Sequence, residues 1–170
     1  MKKTLAKTTD PIGVGLAAPQ VGKSLRIFIA KPTEKSKILV FINPEVLERG
    51  GARREAADSA DCQGALAERN RATGPRKNTK KDSKKLEGCL SLPNIWGPVL
   101  RSSSLTLSYL DEKGVEHKQK FSGFLATIIQ HETDHLNGVL FPKRVLEQDG
   151  ILYKSHKDEK NEDVFEEIEI

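Results

Sequence analysis

The chain has no long apolar run. Spanning a bilayer takes about 20 consecutive apolar residues, and no segment of the 170 residues approaches that. Met1-Lys2-Lys3 opens like a secretory signal, but Lys7 and Asp10 break up the stretch after it, so no export signal is expected. Cysteine is scarce too. Two of them, Cys62 and Cys89, are too few for a disulfide framework. A reducing cytoplasm is the expected setting, and a thiolate ligand would survive there. Large aliphatics are missing from one region. Between Arg49 and Lys85, Leu66 is the sole aliphatic larger than alanine. Such a segment buries too little to offset the entropy of ordering it. We therefore expect one domain over residues 1–170 with a flexible, solvated insertion at 49–85, carrying a weak helix over 56–71 at most.

The positive charge belongs to that insertion. The whole chain carries a net +4. Residues 49–86 hold eleven Lys/Arg and five Asp/Glu, a net +6, so the remainder is slightly acidic at −2. A basic face built into the fold is therefore not indicated, and specific DNA binding is not expected. The insertion itself has the charge to touch ribosomal RNA.

Periodicity outlines the rest. Residues 25–30 and 38–42 are short β-rich runs around a charged turn and read as a strand pair, which Pro44 to Glu48 extends. Residues 105–110 and 115–121 alternate apolar and polar around Asp111-Glu112-Lys113-Gly114, the pattern of a hairpin. The period then becomes helical from Phe121 to Gly138, with Ser122 as N-cap and Gly138 as C-cap. Phe124, Ile128, His131 and His135 fall on one face of that helix. Phe165 to Ile170 alternates again as a last edge strand. The expected class is α+β, with small mixed or antiparallel sheets around one buried helix.

That helix carries the sharpest chemical signal, His131-Glu132-Thr133-Asp134-His135. Histidines four apart on a helix can point at one ion, and Glu132 is beside the first of them, placed to act as a base toward a bound water. The flanks Ile128, Ile129, Leu136, Val139 and Leu140 are apolar. Two imidazoles and two carboxylates on a buried helix are unfavourable unless paired or bound to a metal. A catalytic site of this kind needs a third protein ligand. Cys89, in Glu87-Gly88-Cys89-Leu90-Ser91-Leu92-Pro93, is the best candidate, although a free cysteine is commonly a small buried hydrophobe. His117 and His156 read as ordinary strand and tail residues. On these residues alone a zincin-like peptidase stays open beside other metallohydrolases.

Three segments narrow the choice. Gly13-Val14-Gly15-Leu16-Ala17-Ala18-Pro19-Gln20, Glu87-Gly88-Cys89-Leu90-Ser91-Leu92-Pro93 and Gln130-His131-Glu132-Thr133-Asp134-His135-Leu136-Asn137-Gly138 resemble, in order, the three signature motifs of peptide deformylase. The third is similar to the bacterial main type. The chain departs from the family in two places. Twelve residues precede the first motif, where family members usually carry a strand and a long helix, and the connection before the cysteine motif is longer than usual. Met1 to Lys7 reads as the end of such a helix.

The resemblance implies one divalent ion on Cys89, His131 and His135, Fe(II) natively and often Zn, Ni or Co in isolated samples. It implies Glu132 as general base, and Gln20 with the Leu90 backbone N–H as oxyanion donors. Val14, Gly15 and Gly88 would hold a substrate peptide through their backbone, and Val14, Phe124 and Thr127 would surround a methionine side chain. The implied reaction removes the formyl group from nascent formyl-Met polypeptides, in a cytoplasmic monomer with no membrane partner.

Overall fold

The computed structural model describes residues 1–8, 12–50, 84–159 and 162–169. Cys62 and the helix expected over 56–71 lie outside these residues. The ends of the expected insertion do not: Arg49 and Gly50 belong to one strand and Lys85 to another, so its boundaries at 49 and 85 are corrected inward.

The elements run α1 (Lys2–Leu5), β1 (Gly15–Ala17), a 3-10 turn (Ala18–Val21), β2 (Ile27–Ala30), β3 (Leu39–Gly50), β4 (Lys85–Cys89), β5 (Leu92–Val99), β6 (Ser104–Leu110), β7 (Glu116–Ser122), α2 (Gly123–Leu136), α3 (Phe141–Glu147), β8 (Tyr153–Lys157) and β9 (Asp163–Glu167). They make two sheets, ordered β1-β2-β3-β6-β7 and β4-β5-β8-β9. Every strand pairing among the described residues is antiparallel, so the fold is α+β with antiparallel rather than mixed sheets.

The expected strand pair is present, with Ile27 opposite Ile42 and Ala30 opposite Leu39. β3 then bends. Asn43 sits in the left-handed region at φ 49°, next to Pro44, which has no N–H for the ladder, and the β3–β6 register shifts between Ile42 and Glu45. The expected hairpin holds its register from Ser104–Ser122 to Leu110–Glu116.

Several elements differ from expectation. The first motif, from which no element is read, contains strand β1 and leads into the 3-10 turn. The cysteine motif is the joint of hairpin β4–β5, and Pro93 lies inside β5. Helix α3 follows, with Pro142 in its first turn, where its missing N–H costs no intrahelical bond. Ser122 is the N-cap residue of α2 without a side-chain cap bond, and Asn137 is the C-cap, with Gly138 following at φ 71°. β8 has no clear apolar alternation and pairs with a β9 that begins earlier than expected, at Asp163.

Each sheet packs its own apolar core. Phe28, Phe41, Leu105, Leu107 and Phe121 meet Ala126, Ile128 and Ile129 of α2. Val99 and Cys89 meet Phe141 and Val145 of α3, with Leu152. A third cluster seats Leu5 of α1 against Leu16 and Ile29. Phe41 is the hub of the first core, with ring centroids 4.6 Å from Phe28, 4.7 Å from Tyr109 and 5.7 Å from Phe121. Phe41→Ala would leave a cavity that three packed rings cannot close. Urea unfolding should show a loss of about 3–5 kcal/mol; a loss below about 1 kcal/mol would mean that the core does not turn on this ring.

Candidate active site

α2 is buried along most of its length, including the polar residues Gln130, Glu132, Thr133, Asp134 and His135. One face of it meets the end of β4 at the seam between the two cores. There Cys89, His131 and His135 offer donor atoms all within 4.8 Å of one another, a group that could hold a metal ion. Cys89 Sγ is 3.2 Å from His135 Nε2. His131 Nδ1 donates to Glu87 Oε2 at 3.1 Å, which turns its Nε2 toward the centre.

The charges suit a cation. Burial alone would raise the Cys89 thiol, but hydrogen bonds from His131 and His135 outweigh it and bring it down to about 5. Burial alone would lower His131; its bonds to Cys89 and Glu87 and the nearby Glu132 charge instead carry it up to about 10. A thiolate and two imidazoles turned toward one point mark the place where a divalent ion would put its charge. The donor set of one sulfur and two nitrogens is one that Zn, Fe and their neighbours accept. Glu132 completes the picture. Burial pushes its carboxyl up to about 8, against the pull of the His131 charge. Its Oε2 is buried with no hydrogen-bond partner among the described residues. A desolvated carboxyl poised near neutrality is suited to proton transfer.

The remaining expected residues border the same space. A cavity of about 280 Å³ is lined by Val14, Gly15, Gln20, Gly88, Cys89, Leu90, Phe124, Thr127, His131 and Glu132, among others. Thr127 is buried at its wall, and Phe124 stands half-exposed at its mouth. A side chain on Gly15 would overlap the Glu132 carboxylate. Gln20 is pinned by its oxygen, which accepts the Ala17 N–H at 2.7 Å. Its Nε2 donates to Ser91 Oγ at 3.0 Å and reaches Cys89 Sγ at 3.5 Å. His117 lies apart from this centre, bonded to Asp111 and stacked on Tyr109, and His156 faces Glu166.

Sequence reasoning missed the groups that support the ligands. Arg101, nearly buried, donates to Glu87 Oε1 at 2.9 Å and Oε2 at 3.0 Å, and to Asp134 Oδ2 at 2.6 Å. Arg144 of α3 also grips Asp134, at 2.8 and 3.2 Å. Burial alone would raise both carboxyls, yet Glu87 and Asp134 lie below their ordinary values because of His131, Arg101 and Arg144. Glu87 and Asp134 stood inside recognised motifs. Nothing local pointed to their partners, which are 14 and 33 residues away for Arg101 and 10 for Arg144.

The comparisons agree with this geometry. The family model described as polypeptide deformylase matches residues 1–150. The chain belongs to this family. It is 39% identical over 142 residues to a peptide deformylase of Chlorobium luteolum, covering 81% of this chain and 59% of that protein. It is 36% identical over 158 residues to one of Mesorhizobium japonicum, covering 90% and 73%. Among solved structures, the peptide deformylase of Thermotoga maritima superposes with a TM-score of 0.58 at 31% identity, covering 84% of this chain and 79% of that one. A probable peptide deformylase of synechococcus phage S-SSM7 gives a TM-score of 0.61 at 28% identity, covering 85% and 78%. In the first matches the aligned part spans 59–60% of the curated relatives' own length.

Removing Glu87 would strand the buried Arg101 charge and leave the His131 Nδ1–H without its acceptor. Glu87→Ala should cost about 3–5 kcal/mol in urea unfolding at pH 7. Glu87 and Asp134 have folded pKa values below their ordinary 4.5 and 3.8. Their contribution is therefore full above those values and falls as pH drops through the folded ones. Unfolding free energy of the wild-type chain should decline below about pH 4.5, and Glu87→Ala should flatten that decline. A parallel decline in both would remove Glu87 from the network.

Proposed function

We propose that the chain hydrolyses the formyl amide of N-formyl-methionyl peptides, releasing formate and a free amino terminus. The observation that carries this reading is the group of Cys89, His131 and His135 beside Glu132, whose Oε2 has no partner among the described residues, next to a cavity bordered by residues of all three motifs. Cys89, His131 and His135 would hold the ion, Fe(II) natively with Zn, Ni or Co as substitutes, and when bound it supplies Lewis acidity that acidifies a water and polarises the formyl oxygen.

The chain's own groups do the rest. Glu132 accepts the proton of the attacking water at its free Oε2 and delivers it to the departing amine. Gln20 Nε2, held in place through its own Oε1, and the Leu90 backbone N–H donate to the developing oxyanion, a role worth about 2.7–4 kcal/mol per donor. β1 and β4 each end their sheet among the described residues, and both border the cavity. A peptide can add there as a strand through Val14, Gly15 and Gly88, which reads main chain and so tolerates many sequences. Val14, Phe124 and Thr127 supply the apolar surround for a methionine side chain. Gly15 is required at its place because the base carboxylate fills the space a side chain would take.

The physiological substrates on this reading are nascent formyl-Met polypeptides, met by a cytoplasmic monomer that binds neither a membrane nor specific DNA. No described helix is long and apolar enough to cross a membrane. Ribosome contact rests on the charge of the 49–85 segment, most of which lies outside the described residues. Deleting residues 52–84 should weaken ribosome co-sedimentation at low salt more than at high salt; unchanged pelleting at every salt concentration would remove that partner.

Anaerobic reconstitution with Fe(II), followed by formate release from formyl-Met-Ala-Ser against its unformylated counterpart, tests the activity. Only the formylated peptide should react. Glu132→Gln should keep the metal and lower kcat/KM by about 10²–10⁴. Cys89→Ser should lose most of the metal, whereas Cys62→Ser should retain it. Metal-loaded chain that releases no formate overturns the proposal, and full metal content in Cys89→Ser overturns the ligand assignment.

A further inference from the structure

The family match ends at residue 150, yet the chain continues into a hairpin that joins the sheet of the cysteine ligand. β8 pairs with β5, placing Tyr153 opposite Trp96, and β9 pairs with β8, placing Phe165 opposite Ser155. Because side chains two apart on a strand share a face, Gly88, Trp96, Tyr153, Ser155 and Phe165 line up across one face of four strands. The indole is held from several sides. Its Nε1 donates to Ser155 Oγ at 3.0 Å. Phe165 meets it edge to face at 6.1 Å. On the other flank, its six-membered ring lies over Gly88, where an added Cβ would come within 2.8 Å of it. The ring is also part of the cavity wall, beside Leu86 and Gly88.

We infer that the β8–β9 hairpin sets substrate selectivity by clamping Trp96 as an apolar wall for the residues that follow the formylated methionine. The inference rests on the peptide-hydrolase reading above and deepens it. A substrate strand added at β4 lies beside Gly88. Gly88 has no side chain, so the Trp96 ring, one strand further in, reaches past it to the incoming side chain. A cross-strand contact of this kind favours aliphatic and aromatic side chains over polar ones of similar size. Ser155 and Phe165 act only through Trp96. They are positioning residues, and they belong to the part of the chain that the family pattern does not cover.

Trp96 is the sole tryptophan of the chain, so its emission reports the contact directly. The zinc-loaded full chain is mixed in stopped flow with formyl-Met-Leu-Leu-amide and with formyl-Met-Asn-Asn-amide, and the early emission change is read before any turnover. The Leu peptide should saturate the change at a concentration about three- to tenfold below the Asn peptide. The double variant Ser155→Ala, Phe165→Ala should red-shift the free protein's emission and narrow that ratio. Trp96→Ala should abolish the preference in formate release, and Trp96→Phe should restore most of it. Equal affinity for the two peptides, saturable binding with no change in emission, or an unaltered ratio in the double variant would each overturn the inference. Near-ultraviolet circular dichroism confirms that the variants fold. Emission changes without formate release would fell the hydrolase reading and leave the clamp. Formate release with no preference would do the reverse. Absence of any peptide response fells both.

Discussion

Arg101 is buried between two carboxylates that belong to different halves of the molecule. Glu87 stands on β4, two residues before Cys89, and Asp134 stands on α2, between His131 and His135. The guanidinium therefore fixes the thiolate-bearing strand relative to the histidine-bearing helix. The apolar cores do not do this. One core unites α2 with the five-stranded sheet and the other unites α3 with the four-stranded sheet. The donor atoms meet at the seam between them, where apolar packing is non-directional and would leave the separation loose. A planar fork bonded to two carboxylates sets both distance and angle. Arg144 extends the bracing by tying α3 to the same Asp134.

Such a network is a costly way to gain stability, because desolvating several charges offsets most of their attraction. Its value here is geometry. Among the described residues, each buried acid of the seam has a cationic partner except Glu132, whose Oε2 has none. The exception is the group that changes its protonation in the proposed mechanism. A carboxylate held by arginine, as Glu87 and Asp134 are, is too acidic to take up a proton near neutrality. A carboxylate left desolvated and unpaired is not. The same seam thus holds two kinds of acid, separated by whether a guanidinium reaches them.

The sequence disclosed what depends on local spacing. The His131–His135 pair, the Glu132 beside it, the hairpin at 105–121 and the strand pair at 25–42 follow from periods of 3.6 and 2, which tertiary context did not override. Cys89 and Gln20 were legible through the motifs around them. What escaped was nonlocal or short. Strand β1 is three residues long, and β8, Tyr-Lys-Ser-His-Lys, is polar because only part of it is covered. Arg101 and Arg144 were missed, since a sequence does not show which arginine will be drawn inside by a carboxylate from another element. Nothing in the sequence singled out Trp96, since its partners Ser155 and Phe165 arrive from the far end of the chain.

Two of the glycines that border the cavity show how local and nonlocal demands meet. Gly15 and Gly88 sit on the terminal strands of different sheets, and each leaves out a side chain for a different neighbour. At Gly15 the vacated space holds the Glu132 carboxylate, and at Gly88 it holds the Trp96 ring. In both cases a functional group from another element is brought against an edge strand, close to the main chain on which a bound peptide would pair. A side chain at either place would push that group away from the strand, so the glycines couple main-chain recognition to the group behind it. On the proposed reading, that group is the base at Gly15 and the wall that the C-terminal hairpin supports at Gly88. The same residue type would then serve the chemistry on one side of the cavity and the choice of substrate on the other.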